Sequence, residues 1–354
     1  MTTLAKIKNP LRQRRWRAFK NHRRGYYSLW IFTALLLISL CADLIANDKP
    51  LLLSYKNTWY YPLWNAYPET TFGGIFETEA DYRDPAVQSL IQHPTHGQTG
   101  WIIWPPIRYH YDTINYHLTT PAPSPPSTEN LLGTDDQGRD VLARLIYGYR
   151  TSIIFGLILT LLSSFFGVIV GALQGYFGGR FDLLTQRFIE IWSSLPQLFL
   201  LIILSSFVTP SFSWLLAIML LFSWLSLVDV VRAECLRARN AEYVKAARAL
   251  GVSSFTLLRR HVLPNALVAT LTFMPFVLNA SISTLTSLDF LGFGLPPGSA
   301  SLGELLAQGK ANIQASWLGI SAFITLALQL SLLVFIGEAL RDALDPRLKI
   351  VGWG

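Results

Sequence analysis

Chemistry in this chain of 354 residues is first sought among its histidines, glycine turns and carboxylates. His93, His96, His110 and His117 suggest metal ligation, but no cysteine or carboxylate recurs beside them at a ligand spacing, and they read as surface histidines. Gly303, Gly309 and Lys310 approach a phosphate-binding loop. Five residues separate those glycines where the loop needs four, and Ala311 stands where a Ser or Thr would hold Mg²⁺. Gly292 and Gly294 lack the third glycine of a dinucleotide turn, having Pro297 instead. Neither a zinc-binding HExxH nor a nucleophile elbow is present, which argues against a protease. What remains is Glu242 to Pro264, EYVKAARALGVSSFTLLRRHVLP, whose basic, amphipathic character suits the docking of a partner protein rather than the making of bonds.

That segment predicts two short helices. Over Ala241 to Leu250, Tyr243, Ala246, Ala247 and Leu250 share one side, while Glu242, Lys245 and Arg248 lie away from it. Gly251 can end the first helix in a left-handed backbone, Ser253 or Ser254 can cap the second, and Pro264 closes the segment where an apolar span begins. From these residues alone, an ordinary positively charged inner loop remains an alternative.

The surroundings are membrane-like. Hydrophobic residues make up 51% of the chain and charged ones 14%, against roughly a quarter charged in a soluble domain. Six segments are long enough to cross about 30 Å of hydrocarbon: Tyr26 to Ala46, Thr151 to Gly175, Phe188 to Val208, Trp214 to Val231, Leu267 to Leu288 and Trp317 to Ala339. Nine Lys or Arg precede the first, and Asn47, Asp48, Lys49, Pro50 is a poor cleavage site, so that span reads as a retained anchor. The basic N-terminus and the Arg232 to Arg260 loop, with seven basic residues against Glu234 and Glu242, belong to the cytoplasm. Asn47 to Arg144, with eleven acidic and six basic residues, belongs outside. This basic distribution is the one that topology requires, and it gives no reason to invoke nucleic acid. Cys41 and Cys235 fall in different environments, which excludes a disulfide framework. Asp43, Glu190, Asp229, Asp289 and Glu338 all lie near span ends, so no proton relay for ion-coupled transport is visible.

The elements that place these features follow. The stretch from 47 to about 130 is too long and too aromatic for a plain loop and predicts a small extracytoplasmic domain, with aromatic clusters at Trp59 to Tyr67 and Trp101 to Tyr116 and a stiff Pro121 to Pro126 linker. Next, Thr134 with Gln137 predicts a helix start, and Val141, Leu142, Leu145 and Ile146 form a stripe expected along the outer interface, feeding the second span. Gly167, Gly171 and Gly175 predict close helix packing within one subunit or between two, and Pro196 predicts a bend in the third span.

Lys245, Ala246, Ala247, three residues, Gly251, nine residues, His261, then Leu263 and Pro264 resembles the EAA loop of permease subunits in bacterial ABC importers. Leu132 to Arg150, the outer loop Asp289 to Gly303 and the end Leu340 to Arg347 are similar to dipeptide and oligopeptide permeases, and the aromatic outer domain with its Pro-rich linker is similar to permeases of microcin C-type peptide importers. The resemblance implies an all-α polytopic membrane protein with six transmembrane helices in an ABC importer permease fold. Its parts would be a basic cytoplasmic N-terminus (1–25), the first helix (26–46), an extracytoplasmic domain (47–130), the permease domain (131–340) with its coupling loop (232–265), and a cytoplasmic tail (341–354).

The implied activity is uptake of peptides or peptide-like compounds, with no catalysis, cofactor or metal in this chain. ATP and Mg²⁺ would be bound by a separate cytoplasmic ATPase, docked on Glu242, Tyr243, Lys245, Ala246, Ala247, Leu250, Gly251, His261 and Pro264. A second homologous permease, a periplasmic peptide-binding protein and membrane lipid complete the implied partners. The alternative is a membrane-anchored periplasmic peptide-binding or sensor module built on the aromatic domain.

Overall fold

The computed structural model describes residues 10–93 and 99–344. His96 and the last residues of the Leu340 to Arg347 match lie outside the described residues, as do 1–9 and the tail from 345. In chain order the elements are α1 (Pro10–Asn21), α2 (Arg23–Leu40), α3 (Ala42–Ile45), β1 (Leu52–Tyr55), β2 (Thr58–Tyr60), α4 (Pro85–Gln92), β3 (Trp101–Ile103) and α5 (Val141–Phe177). There follow α6 (Gly179–Ser193), α7 (Gln197–Phe207), α8 (Phe212–Ser223), α9 (Leu225–Arg239), α10 (Glu242–Ala249), α11 (Ser254–Leu257), α12 (Leu263–Phe290), α13 (Leu302–Ala311) and α14 (Ser316–Leu344). Among the described residues two compact units arise, one from 10–34, 153–296 and 326–344, the other from 35–93, 99–152 and 297–325.

The first unit is helical because long apolar segments in hydrocarbon can satisfy their backbone groups only internally. Among the described residues, Val141–Phe177, Phe212–Arg239, Ser254–Phe290 and Ser316–Leu344 are long and apolar enough to cross a bilayer. A fifth span arises if Gly179–Ser193 and Gln197–Leu204, bent by 68°, count as one. Pro196, with no N–H to donate, lies in that break. The expected first span falls on α2 and α3. It does not qualify by the same measure, since α2 stops before Cys41 and reaches 18 residues only by including Arg23 and Arg24.

Gly167, Gly171 and Gly175 bring α5 against α9. A Cβ at these positions would lie 2.8, 2.7 and 2.6 Å from the carbonyl oxygens of Trp224, Val228 and Arg232, so each four-residue step on α5 meets a four-residue step on its neighbour. The packing is thus within one chain. Beyond it, Arg232 donates to Asp182 through Nε (2.6 Å) and Nη2 (2.7 Å), and Arg239 Nη1 donates to the Tyr176 and Phe177 carbonyls at 2.9 and 3.2 Å. Those two carbonyls are among the last of α5, where a helix leaves acceptors unpaired. Towards the other end, Phe155, Leu159, Leu201, Leu215, Ile218 and Met219 form a core. Asn279 Nδ2 ties α12 to the Leu330 carbonyl on α14 at 2.9 Å.

The second unit corrects the all-α expectation. β1 and β2 form a hairpin whose two turn residues, Lys56 and Asn57, take φ of 47° and 62°, the left-handed pair of a tight hairpin turn. β3 pairs antiparallel with the other edge of β1, giving the order β2-β1-β3. Leu53, Tyr55, Phe72, Tyr82 and Ile91 are buried together beneath the sheet, with Tyr60 and Tyr67 packed at its margin. Phe72 meets Tyr55, Tyr60 and Tyr82 edge-on at 5.4 to 5.8 Å. Part of the aromatic cluster is therefore core, whereas Trp59, Tyr61 and Trp64 are exposed.

The start of α5 also differs from expectation. Thr134 does not cap it; its hydroxyl accepts from Ser124 N–H at 2.9 Å. Asp135 accepts from the N–H groups of Gln137 and Arg139, and Gly138, at φ 81°, closes that turn before any helix begins. Asp140 is the cap, its Oδ1 accepting from Ala143 N–H at 2.7 Å. Val141 and Leu145 are buried, so the stripe packs inside the protein rather than along an interface, and α5 runs on without a break. Arg139 and Arg144, both buried, share Asp135 and Glu304 and tie this turn to α13.

A one-way chain of hydrogen bonds ends at the same cap: His117 N–H donates to Asn115 Oδ1, Asn115 Nδ2 to Asn130 Oδ1, and Asn130 Nδ2 to Asp140 Oδ2. The backbone N–H fixes one end as donor, so the other must be an acceptor. Burial raises the Asp140 carboxyl above the usual carboxylate range even so. Asp140→Asn turns an amide donor against Asn130 Nδ2 and no flip along the chain relieves it; a loss of ~1–3 kcal/mol is expected. Gly171→Leu is expected to part α5 from α9 at ~1–3 kcal/mol. Thermal unfolding midpoints of the purified chain in lipid nanodiscs, lowered for both variants, check these two outcomes.

Candidate functional site

The segment from Glu242 to Pro264 stands out from the first unit on one apolar tooth. Val244 in α10 is fully buried among Ala172 and Tyr176 of α5, Val231 and Cys235 of α9, and Leu257 and Val262 further along the same loop. Partly buried Ala241 and Ala247 flank it at steps of three. Burying a valine contributes about 1.5–3 kcal/mol. Glu242 in the first turn and Arg248 in the last complement the helix dipole. The Arg248 guanidinium also lies 5.9 Å over the Tyr176 ring.

The rest of the helix faces outward. Tyr243 is 49% and Leu250 85% exposed, Ala246, Glu242 and Lys245 are exposed, and Ala247 is half-buried. The turn that follows depends on Gly251, whose φ of 81° is left-handed and whose N–H donates to the Arg248 carbonyl at 3.0 Å. A Cβ there would meet nothing within 4 Å, so the need for glycine is conformational. Ser253 Oγ accepts from Thr256 N–H and caps α11, and Phe255, within α11, stands 71% exposed.

A π-helical turn, Leu258–Val262, carries Arg259, Arg260 and His261 into α12, where Pro264 occupies the first turn and needs no N–H partner. Tyr243 clasps this return: its hydroxyl accepts from Asn265 Nδ2 at 2.9 Å and donates to the His261 carbonyl at 3.4 Å, and the Tyr243 and His261 rings lie 6.3 Å apart. The structure therefore brings Tyr243, His261 and Pro264 to one junction, while Lys245, Ala246 and Leu250 project away. Sequence reasoning missed Val244, although the Ala241, Val244, Ala247 spacing carried the signal. Beside Tyr243 a cleft of about 560 Å³ is lined by Arg15, Glu234, Arg237, Asn265, Phe273 and Arg341.

The arrangement offers a stiff, mostly exposed knob joined by packing to the ends of α5, α9 and α12. Among the described residues no group of three or more His, Cys, Asp or Glu could hold a metal.

Comparison with known proteins gives two family matches and several long relatives. Residues 163–350 match the family described as binding-protein-dependent transport system inner membrane component, and residues 10–62 match the N-terminal TM domain of oligopeptide transport permease C. The chain is similar to the inner membrane ABC transporter permease protein YejE of Escherichia coli (strain K12), at 60% identity over 338 residues, 96% of this chain and 98% of that one. It is similar to the peptidoglycan transport system permease protein YejE of Agrobacterium fabrum, at 54% identity over 96% of this chain and 94% of the relative. The dipeptide transport system permease protein DppC of Haemophilus influenzae is 38% identical over 62% of this chain and 75% of its own. With a family model covering 163–350 of 354 residues and relatives alike from end to end, this chain belongs to the inner membrane components of binding-protein-dependent transport systems.

Proposed function

We propose that this chain is the permease subunit of an ATP-driven importer for peptides or peptide-like compounds, of the microcin C type, and that Glu242 to Gly251 is its coupling helix. Family membership and the apolar helices make it a multi-pass inner membrane protein, and a transport component rather than an enzyme. The names of its relatives, which include peptidoglycan and dipeptide transport, favour a peptide-like cargo. In this reading six helices span the bilayer, α2 with α3 and the bent α6–α7 pair included. The termini and the 232–265 loop are cytoplasmic, and 47–130 faces the periplasm. A second permease pairs with this one, a periplasmic binding protein delivers cargo, and a separate ATPase binds ATP and Mg²⁺.

The observation that carries the coupling assignment is the asymmetry of α10. One buried side, at Val244, holds it to three long helices, and an exposed rim of Tyr243, Leu250 and Phe255 is left for a partner. ATP can drive the permease only through a contact that differs in free energy between its two states. A firm knob that carries three large apolar side chains on its surface can make such a contact.

Leu250→Asp removes only exposed surface, so the chain should insert and unfold as before. ATP hydrolysis of the reconstituted complex, stimulated by cargo-loaded binding protein, should fall at least about ten-fold, the effect of losing ~1.4 kcal/mol of docking. Gly251→Pro, which cannot adopt a φ of 81° or donate to Arg248, and Ala247→Glu should abolish uptake while leaving the chain in the membrane. Uptake at the normal rate in all three variants would sink the coupling assignment.

A further inference from the structure

The second unit contains a pocket of about 480 Å³, within the range of small-ligand sites, whose walls combine Trp104, Ile107 and Leu131 with Arg83 and Arg108. Each guanidinium is held by an aromatic face rather than by an acid. Arg83 Cζ lies 4.3 Å from the Tyr109 ring centre and Arg108 Cζ 5.3 Å from that of Trp104. Among the described residues neither arginine has a carboxylate within ion-pair distance. Stacking of this kind constrains the planar guanidinium but leaves its N–H edge free for an oxyanion.

The two acids of the pocket are otherwise engaged. Asp140 spends its oxygens on Asn130 Nδ2 and Ala143 N–H, and Glu129 accepts from the Tyr109 hydroxyl at 3.4 Å while remaining exposed. Glu129 thus stands as a rim acceptor for a donor group on the same ligand, and Gln88 and Thr128 add neutral hydrogen-bonding groups.

We infer that this pocket binds the carboxylate end of a peptide-like ligand, with Arg83 and Arg108 holding the carboxylate, and Trp104 and Leu131 flanking an apolar side chain. The assignment rests on the chemistry of the pocket and requires neither ATP nor the coupling helix. The carboxylate follows from the pocket and the peptide character of the ligand rests on the transport reading; selectivity for acid over amide tests the first whatever becomes of the second.

The test uses the full chain in lipid nanodiscs and equilibrium dialysis with labelled N-acetyl-Ala-Phe, as the free acid and as its C-terminal amide. The acid should bind at least about ten-fold more tightly than the amide, because only the acid makes a charge-assisted contact with the guanidinium groups. Arg108→Gln, at an exposed position, should weaken acid binding by about five-fold or more and leave the amide and the unfolding midpoint unchanged. Arg83→Lys, which keeps the charge but loses the planar fork, should weaken the acid as well. Equal binding of acid and amide, no saturable binding of the acid below about 10 mM, or an unaffected Arg108→Gln variant would overturn the inference. Displacement of the acid by an equal concentration of inorganic phosphate would also overturn it, by reassigning the pocket to phosphate.

Discussion

The contact between α5 and the backbone of α9 is the constraint on which the first unit depends. Three glycines at four-residue spacing let carbonyl oxygens approach to distances that no side chain tolerates. Without lipid-side hydrophobic drive between helices, such dispersion-rich contact is what holds them together. Once the helices are this close, their ends are placed as well. Arg232 reaches Asp182, Arg239 reaches the final carbonyls of α5, and Tyr176 and Cys235 form a socket into which Val244 fits. The seating of Glu242 to Pro264 is thus inherited from a helix contact that contains none of those residues.

Much of that loop was legible in sequence because its signals are local. A left-handed Gly251, a capping Ser253 and a first-turn Pro264 each act within a few residues, and each stands where local chemistry requires. The face of α10 was harder to read, because grouping Tyr243, Ala246, Ala247 and Leu250 on one side leaves out Val244, the fully buried residue of the helix. The buried side rests on a single valine between two alanines, a pattern too slight to compete with the larger residues.

The second unit shows the opposite case. Its hairpin turns at Lys56 and Asn57, not at the Asn-Gly pair that announces such turns, and its strands are only three or four residues long. Aromatic density gave notice of a folded domain but not of a sheet, since Tyr55, Tyr60 and Phe72 suit a core of either kind. The helix start was misplaced for a related reason. Thr134 and Asp135 have capping chemistry, yet Gly138 uses it up in a separate turn, and Asp140 takes over as the cap. Local rules identified the right kind of residue while long-range partners, here Ser124 and Asn130, decided which one served.

The size of the knob bears on how a coupling contact would work in the proposed importer. Moving a two-state equilibrium from one extreme to the other takes about 5.5 kcal/mol of differential binding. Tyr243, Leu250 and Phe255 are the large exposed apolar side chains of the loop; burying Leu250 and Phe255 contributes up to about 1.5–3 kcal/mol each, and the half-buried Tyr243 about half as much. Their combined burial in one state of a complex, and not in the other, is of the required order. The attachment must be firm enough to pass that difference on. Val244 in its socket, the Tyr243 hydroxyl on Asn265 and the π-turn that leads without a gap into α12 supply three separate attachments. Because the knob is held by apolar packing and neutral hydrogen bonds, with no ion pair of its own among the described residues, salt should loosen it little. In the proposed importer a displacement of the docked rim would move α12 with it instead of being absorbed in the loop.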